Sequence, residues 1–193
     1  MPKILISDAM DNIAEKILIS NKIDVDVKTD FTVEELKSKI SEYDGLIIRS
    51  ATKVTKEIIE SAKNLKIIGR AGAGVDNIDL NSAKEKKIIV MNTPGGNTNA
   101  TAEHTLALLL SLSRKIPKAD TSTHRGEWAK KKLKGNEIRG KTIGIIGFGN
   151  VGRRFAEICK ALDLKVLIVS KSFEKVKDQY SEYSSCDLNE VLK

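Results

Sequence analysis

The chain has 193 residues, of which 40% are hydrophobic and 31% are charged, and its formal net charge at pH 7 is +7. These values are ordinary for a soluble chain of one domain, or of one domain and part of another, and they exclude a fibre or a disordered tail. The longest apolar stretch, Thr105–Ser113, is shorter than the roughly 20 residues of a membrane span, so we expect no membrane partner.

The cysteines and lysines bear on compartment and partners. Cys159 and Cys186 show neither CxxC spacing nor a histidine pair nearby, so we expect reduced thiols, a cytoplasmic protein and no metal site. The lysine-rich run 130–134 raises nucleic-acid binding as an alternative, which would require salt-sensitive affinity. Few aromatic residues and no recognisable nucleic-acid module favour a solvated basic face instead, and we expect no nucleic-acid partner.

Over residues 1–99, short runs rich in Ile and Val alternate with helical patterns. This alternation is typical of a parallel sheet covered by helices on both faces. We therefore predict a flavodoxin-like, doubly wound domain of five strands. The predicted strands are Lys3–Ser7, Asp24–Thr29, Gly45–Ser50, Lys66–Ala71 and Ile88–Asn92, with helices at Asn12–Ser20, Thr32–Tyr43, Thr55–Lys63 and Leu80–Lys87.

A leucine-rich stretch follows and predicts a helix over about 100–116, capped by Thr98 or Asn99 and ended by Pro117. Its leucines are not confined to one stripe, which predicts a helix buried nearly all round. A polar segment then leads to Gly140. Residues 100–140 are thus predicted to be a crossing helix and linker.

Residues 141–193 begin with a strand, a helix and a second strand, with Gly147, Gly149 and Gly152 (GxGxxG) between the first strand and the helix. In this context the glycines predict a dinucleotide site. The first allows a tight turn, the second lets the backbone approach a pyrophosphate, and the third lets helix and strand pack closely. We predict an incomplete Rossmann-type domain, with a mobile end after Ser170 because two parallel strands bury little apolar surface.

The end of the second strand bears on the choice of cofactor. The motif predicts an acidic residue there to bind the adenosine ribose, but the sequence has Ser170 followed by Lys171. A hydroxyl beside an ammonium group would accept a 2′-phosphate, which slightly favours NADP over NAD. The alternative is that Lys171 points to solvent and NAD is used.

Four longer blocks, Tyr43–Thr55, Leu65–Asp79, Ile88–Leu110 and Gly126–Gly152, resemble the D-isomer-specific 2-hydroxyacid dehydrogenase family. The resemblance covers essentially the whole chain. It implies an NAD(P)-dependent oxidoreductase acting on a small anionic 2-hydroxy or 2-oxo acid, with the substrate domain first and a homo-oligomeric full-length form. The blocks favour conversion of 3-phosphoglycerate to 3-phosphohydroxypyruvate in serine biosynthesis. The alternatives are hydroxypyruvate or glyoxylate reduction, or a non-catalytic nucleotide-sensing or protein-binding module.

The resemblance also implies site residues. It implies substrate contacts at Arg49, Ser50, Gly72, Ala73, Gly74 and Val75, although a surface ion pair is the alternative for Arg49. It implies cofactor contacts at Ala73, Asn97, Gly147, Gly149, Asn150, Val151 and Gly152, with Ser170 and Lys171 where the family usually has an aspartate. The catalytic histidine, glutamate and arginine of the family match no position here. His104 and His124 do not stand in their place, so we expect no catalytic residue in this chain and no activity from it alone.

Overall fold

The structure, a computed structural model, describes residues 1–192. It divides into two compact units, the first covering Met1–Gly96 and the second beginning at Asn97. None of the helices it describes is both long and apolar enough to cross a lipid bilayer.

The first unit is built on a five-stranded, all-parallel sheet in the order β2-β1-β3-β4-β5. This order is the flavodoxin-like form of a doubly wound sheet, so the prediction for the fold is confirmed. The order reverses between β1 and β3, the place where such sheets bind ligands at the carboxyl ends of their strands. The strands are β1 (Lys3–Ile6), β2 (Asp24–Val27), β3 (Gly45–Ile48), β4 (Ile67–Arg70) and β5 (Ile89–Asn92).

Four α-helices connect these strands, and local sequence signals fix where two of them begin. Thr32 and Glu35 form a reciprocal capping box at the start of the second helix, and the Asp79 side chain caps the fourth. The helices are α1 (Ile13–Ser20), α2 (Val33–Lys39), α3 (Lys56–Ser61) and α4 (Leu80–Glu85), with a short 3-10 turn at Ile40–Glu42.

Within residues 1–192 the two faces of the first sheet are covered unequally. Leu46, Ile48 and Ile68 are buried in one core with apolar side chains of α2, α3 and α4. On the other face Met91 is 54% exposed, beside an apolar cavity of about 440 Å³. Among the four connecting helices of the first unit, α1 is the one whose crossover runs in the opposite direction along the sheet, which places it on the face opposite to α2, α3 and α4.

The second unit begins with two helices, α5 (Thr98–Arg114) and α6 (Ile116–His124). Lys115 adopts a left-handed conformation, φ 55°, between them, and Pro117 lies in the first turn of α6. The predicted linker therefore contains a second helix, which Pro117 helps to start because its fixed φ suits a first turn.

Helix α5 is not buried all round, contrary to the prediction. Ala102 is its buried residue, whereas Leu108 and Leu112 are 58% and 80% exposed. Packing against the helix that follows the glycine motif covers one side of α5, and within residues 1–192 no element covers the leucines on its other side. An apolar composition on every side thus did not reveal which sides have partners.

The rest of the second unit is a three-stranded parallel sheet in the order β6-β7-β8. The stretch after Ser170, predicted as a polar mobile end, supplies the third strand and packs two aromatic side chains, Phe173 and Tyr183, into the core. This packing argues against mobility, which hydrogen exchange would test. The elements are β6 (Thr142–Ile146), α7 (Asn150–Ala161), β7 (Lys165–Val169), β8 (Ser184–Ser185) and α8 (Leu188–Val191), with 3-10 turns at Phe173–Lys175 and Lys177–Tyr180.

Candidate functional site

The glycine loop joins β6 to α7. Gly147 has φ +100°, a left-handed conformation that favours glycine, and its N–H donates to the Val169 carbonyl oxygen at 2.9 Å. Gly149 is the N-cap of α7, and the N–H of Arg153 donates to its carbonyl at 3.0 Å. The loop is therefore a tight turn, anchored to the neighbouring strand, that leads directly into a helix N-terminus.

The space around this loop fits a diphosphate. A Cβ atom on Gly152 would lie 2.3 Å from the carbonyl oxygen of Gly147, so only glycine allows this close approach. A Cβ atom on Gly149 would meet no atom within 4 Å, which leaves room for a ligand against the backbone. The first N–H groups of α7, including those of Asn150 and Val151, precede the first intrahelical bond and are suited to anionic oxygens.

At the end of β7, Ser170 lies next to the glycine loop in the sheet. Its hydroxyl lies 2.9 Å from the hydroxyl of Ser172, and Lys171 between them is exposed. The position that the motif reserves for a carboxylate thus holds the Ser170 hydroxyl in contact with the Ser172 hydroxyl, and the exposed Lys171 is the next residue in the sequence.

In the first unit the predicted substrate residues lie at the carboxyl ends of the strands. Asp8, just after β1, is 5% exposed and accepts hydrogen bonds from the Arg49 amide, from the Thr52 amide at 3.1 Å and from the Thr52 hydroxyl at 2.6 Å. Burial acts to raise the pKa of Asp8, but hydrogen bonds from the Thr52 side chain and from backbone amides outweigh it and lower the pKa. Asp8 therefore holds the segment after β3 in place as a carboxylate.

The Arg49 guanidinium is exposed and donates from Nη1 to the carbonyl oxygen of Ala9 at 3.1 Å. Within residues 1–192 no carboxylate lies within salt-bridge distance of it, so the surface ion pair that was the alternative for Arg49 does not form there. Ser50 beside it is also exposed. The other N–H donors of the planar Arg49 guanidinium are therefore available to bind an oxyanion.

Arg70 joins the two predicted substrate segments. Its Nη1 donates to the Gly74 carbonyl at 2.8 Å and its Nε donates to the Arg49 carbonyl at 3.3 Å. The Asn77 side-chain amide donates to the same Arg49 carbonyl at 2.8 Å. The loop from Gly72 to Val75 is thus tied to Arg49 through the Arg70 side chain of β4, and Asn77, just beyond that loop, holds the same Arg49 carbonyl.

Sequence reasoning missed Asp8, Arg70 and Asn77. The Asn92 side-chain amide, which donates to the Ala73 carbonyl at 2.7 Å, was missed as well. The available signal was position, because Asp8, Arg70 and Asn92 lie at or just beyond the carboxyl ends of strands, where ligands of doubly wound sheets bind.

The remaining predicted residue and the two histidines lie in the second unit. Asn97 is the exposed N-cap residue of α5, and its side chain makes no capping hydrogen bond. His104 is exposed on α5, the helix that was predicted to be buried nearly all round. His124 is exposed at the end of α6, where its Nδ1 lies 3.3 Å from an Asp120 carboxylate oxygen. Neither histidine is part of the glycine loop.

A doubly wound parallel sheet, followed by a strand, a glycine loop and a helix, defines an α/β protein of the dinucleotide-binding class. A family model, described as "D-isomer specific 2-hydroxyacid dehydrogenase, catalytic domain", matches residues 4–185. The chain therefore belongs to the D-isomer-specific 2-hydroxyacid dehydrogenase family, as its sequence predicted.

A curated relative refines the comparison. The chain is 45% identical over 190 residues to D-3-phosphoglycerate dehydrogenase of Archaeoglobus fulgidus, an alignment that covers 98% of this chain and 36% of the relative. The chain thus spans about a third of the length of the curated relatives it matches.

Two solved structures show the same fold with cofactors bound. An acyclic imino acid reductase in complex with NADPH and D-Arg has a TM-score of 0.84 at 35% identity, over 99% of this chain and 62% of that one. The NAD⁺-bound 3-phosphoglycerate dehydrogenase of Entamoeba histolytica has a TM-score of 0.72 at 34% identity, over 89% of this chain and 54% of that one. Family and neighbours together support a nicotinamide cofactor.

Proposed function

We propose that this chain is part of a nicotinamide-dependent dehydrogenase that interconverts 3-phosphoglycerate and 3-phosphohydroxypyruvate, an oxidoreductase step of serine biosynthesis. The observation that carries the proposal is the glycine loop, in which Gly147, Gly149 and Gly152 combine a left-handed turn, open space and a close approach. The substrate assignment rests on the phosphoglycerate dehydrogenases that the chain resembles.

In this proposal each unit has a separate role. The amides at the start of α7 would bind the cofactor diphosphate, and a nicotinamide group held there would supply hydride-transfer chemistry. Arg49, held by Asp8 and Arg70, binds a phosphate or carboxylate of the substrate, and the backbone of residues 72–75 completes that contact. Neither His104 nor His124 is assigned to proton transfer, so residues 1–193 alone are proposed to bind the cofactor without catalysing the reaction.

Fluorescence titration of the chain with NADH and NADPH tests cofactor binding. A methyl group on Gly152 would clash with the Gly147 carbonyl, so Gly152→Ala should weaken binding by about tenfold or more. Gly69→Ala is the matched control, because a Cβ atom there would lie 3.9 Å from Ile47 in ordinary contact. Equal affinity in both variants, or no binding by the unmodified chain, would contradict the cofactor assignment.

The substrate is tested on the complete gene product, by comparing kcat/KM for 3-phosphoglycerate with the values for the reverse reduction of hydroxypyruvate and of glyoxylate. Preference for the phosphorylated acid should fall when Arg49 is changed to Met. A preference for either unphosphorylated acid would favour the reductase alternative.

We propose a slight preference for NADP over NAD, supported by the Ser170–Ser172 hydroxyl pair beside Lys171. A carboxylate would repel a 2′-phosphate, so Ser170→Asp should shift the ratio of the two dissociation constants toward NADH. Ser170→Thr retains the hydroxyl and is the control. An unchanged ratio in Ser170→Asp would show that this position does not select the cofactor.

We also propose that the full-length protein is a cytoplasmic homo-oligomer that pairs around α5. The exposed Leu108 and Leu112 support this pairing, and the free cysteines suit a reducing compartment. Sedimentation velocity of the full-length protein should detect a dimer that Leu112→Glu weakens. A monomer at micromolar concentration would overturn the pairing.

A further inference from the structure

The side chain at the centre of the glycine loop faces the core of the second unit. Phe148 is 1% exposed and meets Phe173 and Tyr180 edge to face, with ring centroids 4.9 Å and 5.1 Å away. Tyr183 completes this aromatic cluster, at 6.0 Å from the Phe148 ring. Three of the four rings thus come from residues 173–183, so that segment packs directly beneath the glycine loop.

Arg153 contacts both the glycine loop and this aromatic cluster. Its Nε donates to the Phe148 carbonyl oxygen at 3.3 Å, which fixes the backbone of the loop itself. Its guanidinium carbon lies 5.6 Å from the Phe148 ring centroid and 5.5 Å from that of Tyr180, within the range of cation–π contacts.

The neighbouring arginine has different partners. Arg154 Nε donates to the Asn99 side chain at 2.9 Å, and its Nη1 pairs with Glu157 at 2.8 Å, so it does not contact the loop. Two adjacent arginines on one helix therefore separate a general effect of positive charge on α7 from a specific effect on the loop.

We propose that Arg153 is a positioning residue of the glycine loop, which it holds in its binding conformation by joining the Phe148 carbonyl to the aromatic cluster with Phe173, Tyr180 and Tyr183. This role rests on the proposed cofactor function. Arg153 acts through the loop, because its guanidinium is directed to the carbonyl and the rings. The segment 173–183 thereby contributes to cofactor affinity without supplying a ligand.

Hydrogen exchange of the Gly147 amide, which donates to Val169, tests the positioning role without a cofactor. Arg153→Met should raise its exchange rate about tenfold, as expected for loss of a charge-assisted hydrogen bond, and should weaken NADH or NADPH binding by a similar factor. Arg154→Met should leave both within about twofold. Exchange of the Ile168 amide, in the interior of β7, serves as the reference for global unfolding.

A second pair of variants keeps the test decisive if Arg153→Met does not fold. Tyr180→Leu removes one ring and should partly reproduce the faster exchange of the Gly147 amide. Tyr180→Phe keeps the ring, so exchange of that amide should stay slow. The proposal is overturned if Arg153→Met and Arg154→Met have equal effects, or if the Gly147 amide is as protected in Tyr180→Leu as in the unmodified chain. Absence of cofactor binding by the unmodified chain would refute the proposed function, and the exchange comparison would still decide the positioning role.

Discussion

The candidate sites of the two units are held together by different means. In the first unit, side chains at the carboxyl ends of strands reach neighbouring segments, as Asp8 does to Arg49 and Arg70 does to Gly74. In the second unit, the site is made by the backbone itself, through a left-handed glycine and a contact that excludes any Cβ atom. A backbone-made site depends on the core beneath it, whereas a side-chain network depends on a few hydrogen bonds.

The largest expected effect concerns the core beneath the glycine loop. Phe173 is 1% exposed and packs against Phe148, so Phe173→Ala should lower the free energy of unfolding of the second unit by about 3–5 kcal/mol. Urea-dependent hydrogen exchange of the β6 and β7 amides measures this value, while the first unit should remain unchanged.

The control for this variant is Leu192→Ala, at a side chain that is 71% exposed. It should change stability by less than about 0.5 kcal/mol. If Phe173→Ala had an effect as small as the control, the end after Ser170 would be mobile, as the sequence predicted. The aromatic cluster beneath the glycine loop would then contribute nothing measurable to stability.

The fold and the glycine loop could be predicted from sequence because their signals are local. Strand-and-helix alternation is visible within a few residues, and the requirements at Gly147 and Gly152 concern neighbouring backbone atoms. The Asp8 network could not be predicted in the same way, because its partners lie more than 40 positions apart and meet only once β1 and β3 are adjacent.

Two further outcomes show where composition is ambiguous. The leucines of α5 predicted burial. An apolar side chain indicates only that its burial is favourable, and it does not show that a partner covers it. Conversely, Phe173 and Tyr183 stand in a polar stretch without helical or strand periodicity, so nothing in the pattern marked them as core residues.

The second prediction tests the side-chain network of the first unit. Asp8→Asn leaves the Arg49 and Thr52 amides facing a weaker acceptor, and it should lower the free energy of unfolding of that unit by about 2–3 kcal/mol. Asp11→Asn is the control, since the exposed Asp11 carboxylate accepts one local hydrogen bond, from Ile13. Equal losses of unfolding free energy in both variants would mean that the Asp8 network contributes no more to stability than the single local hydrogen bond of Asp11.

The pH dependence of stability sharpens the same comparison. Because the folded-state pKa of Asp8 is lowered, the stability that Asp8 contributes is fully present above its unfolded-state pKa, about 4, and is lost as pH falls through the folded-state value. Acid titration of the first unit should therefore be less steep in Asp8→Asn. Some acid dependence should remain, because hydrogen bonds from Lys3 and Tyr43 also lower the pKa of Asp26. An identical acid profile in the variant and the unmodified chain would exclude Asp8 as a contributor.

The smallest expected effect lies in the first unit, away from its candidate site. The Thr32 hydroxyl accepts from the Glu35 amide at 3.2 Å, and the Glu35 carboxylate accepts from the Thr32 amide at 2.8 Å. Thr32→Ala removes one half of this capping box and should lower the stability of the first unit by about 1 kcal/mol, whereas Thr32→Ser should retain most of it. The cap stabilises the start of α2, which packs in the core through Leu36, and it does not contact the Asp8 network. Its loss should therefore leave the exchange of the Arg49 and Thr52 amides unchanged relative to the rest of the unit. Faster relative exchange at those two amides would show that the network depends on the packed helices beneath it, and the contrast between the two units would then disappear.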